Sequence, residues 1–584
     1  MLLTKLQHLH GPNCSPLTNT NTFVATSVFS FPVLLSDRLT KEPALPINAP
    51  RTSTLLENKA AASAEPNFMG GISYKPSPLT QLRMMAGSCF FGEPRYYQEA
   101  ELNMDCIGTA PEWVAARLDS VMSGPQGGDS AQLLPAAIDR ALDFDPEATL
   151  QEAARLRNED NFRVTPQVIL VRAALHHKIR GTQLVRTYAR LILRRADEPA
   201  TGLAYYLSLS QSDSPFKRIP NSLKRAWREY LEGLGDYALA KYRQTDRQVS
   251  LVDVVNLVHA YSPSINKLVR GQLKLTGQTW EAVVSAGKGS PEAWQETLPF
   301  ITHPKGHMAL LRNLRNLHGV KLLTPDILDA LKAGVENGEQ LPFRYYSAHL
   351  ALSAQGMPSF VSDGLSACLD LSTKNLPRFK GRVMSLSDNS GSARGATTSE
   401  YGTMAVATIG NLMAVITGMQ ADEGYVGLFG DGLSVIPVRH RDSALTQLAQ
   451  VEEAGNHVGE STENGIWLFF DKALREREHW DHIFIYSDMQ AGHGGLFGID
   501  PAQYPEFSID EWGHNRKGER YIDVAALVAR YRKRVNPNVM VYMVQTAGYR
   551  NSLMPEFYDR TFILGGWSDS VLRFAGRMTE MHPA

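Results

Sequence analysis

The chain has 584 residues, which is too long for one hydrophobic core, since a domain typically holds ~100–200 residues. Hydrophobic residues make up 43 % and charged residues 20 %, as is ordinary for soluble globular proteins. The four cysteines form no CxxC pair, which argues against a disulfide framework or a thiolate zinc site and favours a reducing compartment. The net charge is −1, yet residues 163–320 hold 23 Lys+Arg against 11 Asp+Glu.

Residues 1–68 show little periodicity and are rich in Thr, Asn, Ser, Pro and Ala, so we expect a disordered or loosely attached tail. The most apolar stretch, Phe23 to Leu35, is interrupted by polar residues and Pro32 and falls short of the ~18 unbroken apolar residues of a membrane helix. It also lacks the basic flank and cleavage site of a signal peptide. We therefore expect no membrane association and a cytoplasmic location.

Residues 69–379 form the second predicted unit, in which helical periodicity repeats with short Gly, Pro and Ser breaks. Such a long series of amphipathic helices favours an α-solenoid of HEAT-like pairs over a compact bundle. The predicted helices include Pro111–Met122, Ala131–Leu142, Pro166–His177, Gln183–Arg195, Ser222–Leu231, Leu251–Ala260, His307–Leu317 and Phe343–Leu352.

Positive charge is concentrated in this helical unit. Residues 163–320 have a net charge of +12 and the remainder has −13, which indicates a polyanionic partner for one region only. Arg186, Arg190 and Arg194 recur at four-residue steps and are predicted to share one helix face. The alternative is that these side chains only solvate helix surfaces.

Residues 380–584 form the third unit, in which strand-length apolar runs alternate with helical patterns. This alternation predicts a mostly parallel, doubly wound α/β sheet with helices on both faces. The predicted strands are Val383–Ser387, Val426–Phe429, Ile483–Tyr486, Val539–Val544 and Phe562–Leu564, and the predicted helices are Thr403–Met419, Ala444–Glu453, Ile466–Arg477 and Ile522–Arg534.

A candidate metal site follows from the residues at the ends of these strands. Asp388, Ser390 and Ser392 come directly after the first strand and Asp488 follows Ile483–Tyr486, so all four belong to the edge where ligands of such sheets bind. Thr462 adds a hydroxyl on a loop. Hard oxygen ligands of this kind suit a divalent metal, and Mg²⁺ in particular.

This pattern resembles the metal-ion-dependent adhesion site of von Willebrand factor A domains, over residues 381 to about 580. The resemblance assigns Asp388, Ser390 and Ser392 to the first loop, Thr462 to the second and Asp488 to the third. The second loop reads Glu460-Ser461-Thr462 where the family often has Gly-Thr, so Ser461 is an alternative ligand. Such sites leave one coordination position for an acidic group of a partner.

The helical unit resembles the TROVE module of Ro proteins. The resemblance is carried by Ile219–Trp227, Leu239–Gln244 (Leu-Ala-Lys-Tyr-Arg-Gln), Leu251–His259, His307–Arg315 and Leu341–Tyr346. It implies a monomeric ring of helices, closed by the A domain, that binds structured noncoding (Y-like) RNA outside and single-stranded RNA ends in its hole. Lys241, Arg243 and His259 are the RNA contacts that the motifs imply. Thr245 departs from the basic residue often found there, with Arg247 two positions further on.

Three functions remain open on the sequence. The leading one is a Ro-type RNA-binding ribonucleoprotein component for RNA quality control or decay, with an exoribonuclease such as polynucleotide phosphorylase as a candidate partner. The second is a metal-dependent A-domain adaptor without an RNA role. The third, a metal-dependent phosphoesterase, is disfavoured because the first loop has no second carboxylate and no evident general base. We therefore expect no enzymatic activity.

Overall fold

The structure of the chain is a computed structural model. It describes residues 64–66, 72–87, 130–210, 219–242, 249–273, 280–338, 340–395, 405–459, 464–489, 524–546, 552–554, 558–566 and 569–582. Within these ranges, a series of helices precedes a six-stranded α/β sheet, which confirms the predicted fold class. No helix in the described ranges is both long and apolar enough to cross a membrane.

The first half of the helical region follows a short antiparallel hairpin, β1 (Ala64–Pro66) and β2 (Ile72–Tyr74). Its helices are α1 (Pro78–Gly87), α2 (Ser130–Phe144), α3 (Pro146–Asn158), α4 (Thr165–Leu175), α5 (Leu184–Ile192), α6 (Glu198–Ser210), α7 (Asn221–Glu232), α8 (Asp236–Lys241), α9 (Leu251–Val258) and α10 (Pro263–Val269). Their apolar faces form one continuous core around residues such as Trp227 and Leu156.

The second half consists of α11 (Trp280–Ala286), α12 (Pro291–Ile301), α13 (His307–Gly319), α14 (Pro325–Ala333), α15 (Val335–Gly338), α16 (Pro342–Ser353) and α17 (Ser359–Thr373). These helices form a second core that continues into one face of the sheet. The predicted helix Pro111–Met122 lies outside the described residues.

Local signals explain where several helices begin. Asp145 accepts a hydrogen bond from the Ala148 amide at 2.9 Å, and Pro146 occupies the first position of α3. Ser250 and Asp253 form a capping box at the start of α9. Proline also lies in the first turn of α4, α10, α12, α14 and α16. An amide hydrogen in the first turn has no acceptor within the helix, so proline costs no helical hydrogen bond there.

The α/β unit contains β3 (Phe379–Asp388), α18 (Gly391–Gly395), α19 (Val406–Met419), β4 (Ala421–Phe429), β5 (Leu433–Pro437), α20 (Ala444–Gly455), α21 (Asn464–Arg475), β6 (His482–Ser487), α22 (Val524–Arg534), β7 (Met540–Gln545), β8 (Thr561–Gly565) and α23 (Asp569–Met581). The strand order is β5-β4-β3-β6-β7-β8, parallel except for the edge strand β5. This is the strand order of a doubly wound sheet. Its ligand crevice lies between β3 and β6, where the connections that follow the two strands run to opposite sides.

Both ends of the helical region contact the α/β unit. At one end, α17 leads into β3, and the Asp370 carboxylate accepts a hydrogen bond from the Ala444 amide at 2.9 Å. At the other end, α1 packs on β8, where Gly87 and Gly565 bring the two backbones together. Tyr74 and Ser552 exchange backbone hydrogen bonds of 2.7 and 3.0 Å. The helical region is thus closed on itself through the sheet.

Candidate metal and RNA sites

The candidate metal site lies at the carboxyl ends of β3 and β6, the switch point of the sheet. Asp388 is the last residue of β3 and Asp488 directly follows β6, and both are buried, with 1 % and 2 % exposed surface. Two neighbouring parallel strands place their last residues at the same level, so the register brings these two loops together. The structure therefore joins two of the predicted metal ligands at one point.

Serine hydroxyls link the two carboxylates. The amide of Ser390 donates to Asp388 Oδ1 at 2.9 Å, and Ser390 Oγ lies 3.1 Å from Ser392 Oγ. Ser392 Oγ in turn donates to Asp488 Oδ2 at 2.9 Å. Thr462 and its alternative Ser461 lie outside the described residues. Four of the five predicted ligands thus form one hydrogen-bonded chain.

The surroundings of Asp388 hold its carboxylate in place. Ser487 Oγ donates to Asp388 Oδ2 at 2.7 Å. Burial raises the pKa of Asp388 above its usual range, while hydrogen bonds from Ser390 and Ser487 act against this rise. A nearby cation would compensate the burial of the charged carboxylate, so this set of buried oxygens fits a hard divalent ion such as Mg²⁺.

Sequence reasoning missed the polar groups that support this loop. Asn389 Nδ2 donates to Asn411 Oδ1 at 2.9 Å, and Ser387 Oγ donates to the same atom at 2.8 Å. Gln545 Nε2 donates to the backbone oxygen of Asp488 at 2.8 Å. Asn411 lies within α19 and Gln545 at the end of β7, and neither position carries a local motif that marks this role.

In the helical region, the predicted arginine stripe is only partly present. Arg186 and Arg190 lie on α5 and both approach Glu229 of α7, at 2.6 and 3.4 Å. The prediction that Arg194 continues this helix face is wrong, because α5 ends at Ile192 and Leu193 adopts an extended conformation. The hydrogen bond from Arg186 lowers the pKa of Glu229, so part of the predicted positive surface is neutralised by this pair.

A surface cavity of about 510 Å³ lies beside this pair. Arg180, Arg186 and Arg225 line it together with Tyr206 and the first residues of α7. The cavity combines cationic groups with an aromatic wall. Among the predicted RNA residues, Arg186 is the one that lines it.

The motif residues have separate environments. Lys241 ends α8 and is half-buried, with its Nζ 5.9 Å from the ring centroids of both Tyr237 and Tyr242. Burial lowers the pKa of Lys241, Glu281 raises it and Arg195 lowers it further. His259 is exposed and ends α9 in the left-handed conformation at φ 54°. Arg243 and Arg247 lie outside the described residues.

A cluster of arginines that sequence reasoning did not assign lies near Lys241. We call it the arginine cluster; it consists of Arg157, Arg163, Arg195, Arg312 and Arg344. Its first three members belong to the first helical half, whereas Arg312 and Arg344 lie on α13 and α16 of the second. Arg312 and Arg344 occur in segments that carry the TROVE resemblance, which is the signal in the sequence that could have found them.

Mutual repulsion and burial characterise the arginine cluster. Burial, together with the like charges of Arg195 and Arg157, lowers the pKa of Arg163 to about 10, although Asp197 acts in the opposite direction. Burial and the like charges of Arg312 and Arg163 together lower the pKa of Arg344 to about 10. Since burial and like charges both disfavour the cationic form, an anion near these groups would relieve an existing strain.

Acidic partners compensate part of this charge. Arg157 Nε lies 2.7 Å from Glu198, and Arg195 pairs with Asp197 at 2.7 Å. Arg195 is only 5 % exposed, and its Nη1 has no hydrogen-bond partner among the described residues. A buried guanidinium nitrogen without an acceptor is costly, so the site is suited to a further oxygen ligand.

The chain thus combines a closed series of helices with a parallel α/β sheet that bears a buried oxygen site. No protein-family model and no curated protein matches it. Among solved structures, it is similar to the Ro (RSR) protein of Deinococcus radiodurans, a crystal structure. The two share 15 % identity with a TM-score of 0.47, over 86 % of this chain and 99 % of that one. That protein bears the name of the family that the sequence resembles.

Proposed function

We propose that the chain is an RNA-binding protein of the Ro type. The observation that carries this proposal is the arginine cluster, in which cationic groups from both helical halves lie close enough to act on one another, with Arg157 and Arg195 buried. Arginine is the residue best suited to clamp phosphates, because its planar fork donates two parallel hydrogen bonds. A single-stranded RNA end offers several phosphates at close spacing, which matches a cluster of this extent better than one small anion does.

Of the motif residues, Lys241 extends the same surface. Lys241 lies near Arg195 and beside two tyrosine rings, and an exposed Tyr261 follows His259 closely in the chain. Tyrosine and histidine rings stack on unpaired bases, while Lys241 adds a charge for phosphate. A structured noncoding RNA of the Y type, held here while its end reaches the arginine cluster, is the RNA partner that we propose.

The α/β unit supplies the second part of the proposed role. Asp388, Ser390, Ser392 and Asp488 would hold Mg²⁺ and leave a coordination position for an acidic group of a protein partner. An exoribonuclease such as polynucleotide phosphorylase is the kind of partner that RNA decay requires. The adaptor function without RNA is the second candidate, and the buried oxygen site is the observation that favours it.

The RNA proposal is tested by measuring the affinity of the full chain for a single-stranded oligouridylate at several salt concentrations. Arg312 is exposed at the rim of the arginine cluster, so Arg312→Gln removes one charge with little disturbance of the core. Arg315→Gln is the matched control, because Arg315 is exposed on the same helix and is not among the residues that act on the arginine cluster.

We expect Arg312→Gln to weaken binding and to make the log–log salt slope shallower by about 0.7, the value for one phosphate of a single strand. Arg315→Gln should leave both quantities near the wild type. Equal effects of the two substitutions would show that the arginine cluster does not hold RNA. Absence of RNA binding by the wild type, together with intact metal-dependent capture of a protein, would favour the adaptor.

A further inference from the structure

A second group of metal-ligating side chains lies in the helical region, far along the chain from the α/β unit. Asp143 belongs to the last turn of α2, His176 directly follows α4, and His177 begins a 3₁₀ turn that ends at Ile179. One ligand atom from each of the three lies within 4.8 Å of the other two. Within the described residues, this is the one group of three or more His, Cys, Asp or Glu with such spacing.

The contacts between these side chains are already close to those of a metal site. His176 Nε2 lies 3.1 Å from Asp143 Oδ1, and the two imidazole rings have centroids 4.5 Å apart. Ligands at ~2.0–2.1 Å from a tetrahedral zinc ion are separated by about 3.3 Å. His177 is exposed and Asp143 is 58 % exposed, so both can make the shift of about an ångström that closes the group.

Neighbouring charges do not occupy the ligand atoms. Arg172, one turn before His176, is engaged by Asp139, one turn before Asp143. Lys178 donates to the backbone oxygen of Asp143 and not to its carboxylate. His176 is held in place because its side chain is only 9 % exposed. The Asp143 carboxylate and the His177 imidazole thus remain available to a metal ion on the solvent side of His176, whose own position is fixed.

We propose that Asp143, His176 and His177 bind a divalent transition-metal ion, with Zn²⁺ as the representative ion. Two imidazole nitrogens and one carboxylate oxygen suit zinc and its neighbours, whereas magnesium takes oxygen ligands. Water completes the coordination on the exposed side. The ion would tie α2 to the turn that precedes Arg180, and would thereby fix one wall of the 510 Å³ cavity. This site is independent of the proposed RNA role.

The experiment uses the full chain, freed of metal and titrated with Zn²⁺ against a chromophoric chelator. Mg²⁺ in excess keeps the oxygen site of the α/β unit from contributing. The variants are His177→Asn and Asp143→Asn. His457→Asn is the matched control, because His457 pairs with Glu453 at 3.4 Å on an exposed helix end and belongs to no group of three ligands among the described residues.

We expect the tightest Zn²⁺ site to weaken by about tenfold or more in either variant, since even the loss of an outer-sphere partner typically costs 10–100-fold. His457→Asn should match the wild type. Co²⁺ should give visible absorption bands in the wild type that both variants lose. Equal Zn²⁺ affinity in the wild type and both variants would overturn the proposal, as would an equal loss in His457→Asn or no Zn²⁺ binding at all.

Discussion

Closure of the helical region on the sheet depends on two glycines, and Gly87→Ala is the substitution that tests it. A Cβ at Gly87 would lie 2.4 Å from the Gly565 oxygen and 2.8 Å from its carbonyl carbon. Ordinary van der Waals contacts of a Cβ begin at 3.4 Å, so α1 and β8 must separate by about one ångström. Both neighbouring atoms belong to the backbone, so no side-chain rotation can relieve the clash.

The expected destabilisation follows from this displacement. Overpacking a well-packed contact typically costs 1–3 kcal/mol, and a gap of 0.5–1 Å forfeits a quarter to a half of each dispersion contact nearby. In a domain of 150–250 residues, each kcal/mol lowers the melting temperature by about 2–4 °C. We therefore expect a clear fall in melting temperature for Gly87→Ala, and faster amide hydrogen exchange in α1 and β8.

Gly319→Ala provides the control, because a Cβ at Gly319 meets nothing within 4 Å. This substitution should be neutral or slightly stabilising, as alanine loses less backbone freedom on folding than glycine does. Thermal unfolding of the two variants, with hydrogen exchange read by mass spectrometry, makes the comparison. Identical melting temperatures and exchange rates in Gly87→Ala and Gly319→Ala would refute the tight contact between α1 and β8.

Two further predictions concern buried ionisable groups. Burial lowers the pKa of His307 from 6.5 to about 4. Neutral His307 therefore contributes fully to the free energy of unfolding above pH 6.5, and this contribution declines as the pH falls toward 4, by up to about 1.4 kcal/mol per pH unit. Thermal unfolding across this range should show a weaker pH dependence in His307→Asn, and an unchanged dependence would contradict the assignment. Asp388→Ala should abolish Mg²⁺ binding in calorimetric titration, whereas Asp422→Ala, at the opposite edge of the sheet, should not; retained affinity in Asp388→Ala would rule out the metal site.

Most of the α/β unit could be predicted because its strands are buried on both faces and are therefore uninterrupted apolar runs. The run Val383–Ser387, for example, lies within β3, which extends from Phe379 to Asp388. The edge strand β5 was missed, since half-exposed Leu-Ser-Val-Ile-Pro is short and ends in proline. The position of the first candidate metal loop could be predicted because Asp388, Ser390 and Ser392 are close in sequence and directly follow a strand.

The arginine cluster could not be predicted in the same way. Arg163 and Arg344 are separated by 181 positions, and Arg163 acts on Arg344 only because the fold brings parts of the two helical halves near each other. Helical periodicity identifies which face of each helix is buried but contains no information on the curvature of the whole series. The stripe of Arg186, Arg190 and Arg194 failed for a related reason: a four-residue spacing indicates a common face only while the helix continues.

The arginine cluster and the closure of the chain are energetically connected. Like charges from the two helical halves repel each other, so the arginine cluster opposes closure of the helical region. Two features maintain this closure: the contact of α1 with β8, and the core that α17 shares with the sheet. An anion that binds between the halves removes this repulsion and is held by both. A ligand that prefers the closed chain stabilises closure by the free energy of its binding. Binding and closure must therefore favour each other to the same extent. Acidic groups such as Glu198 and Asp197 compensate part of the charge of the arginine cluster, and the proposed RNA would compensate more of it.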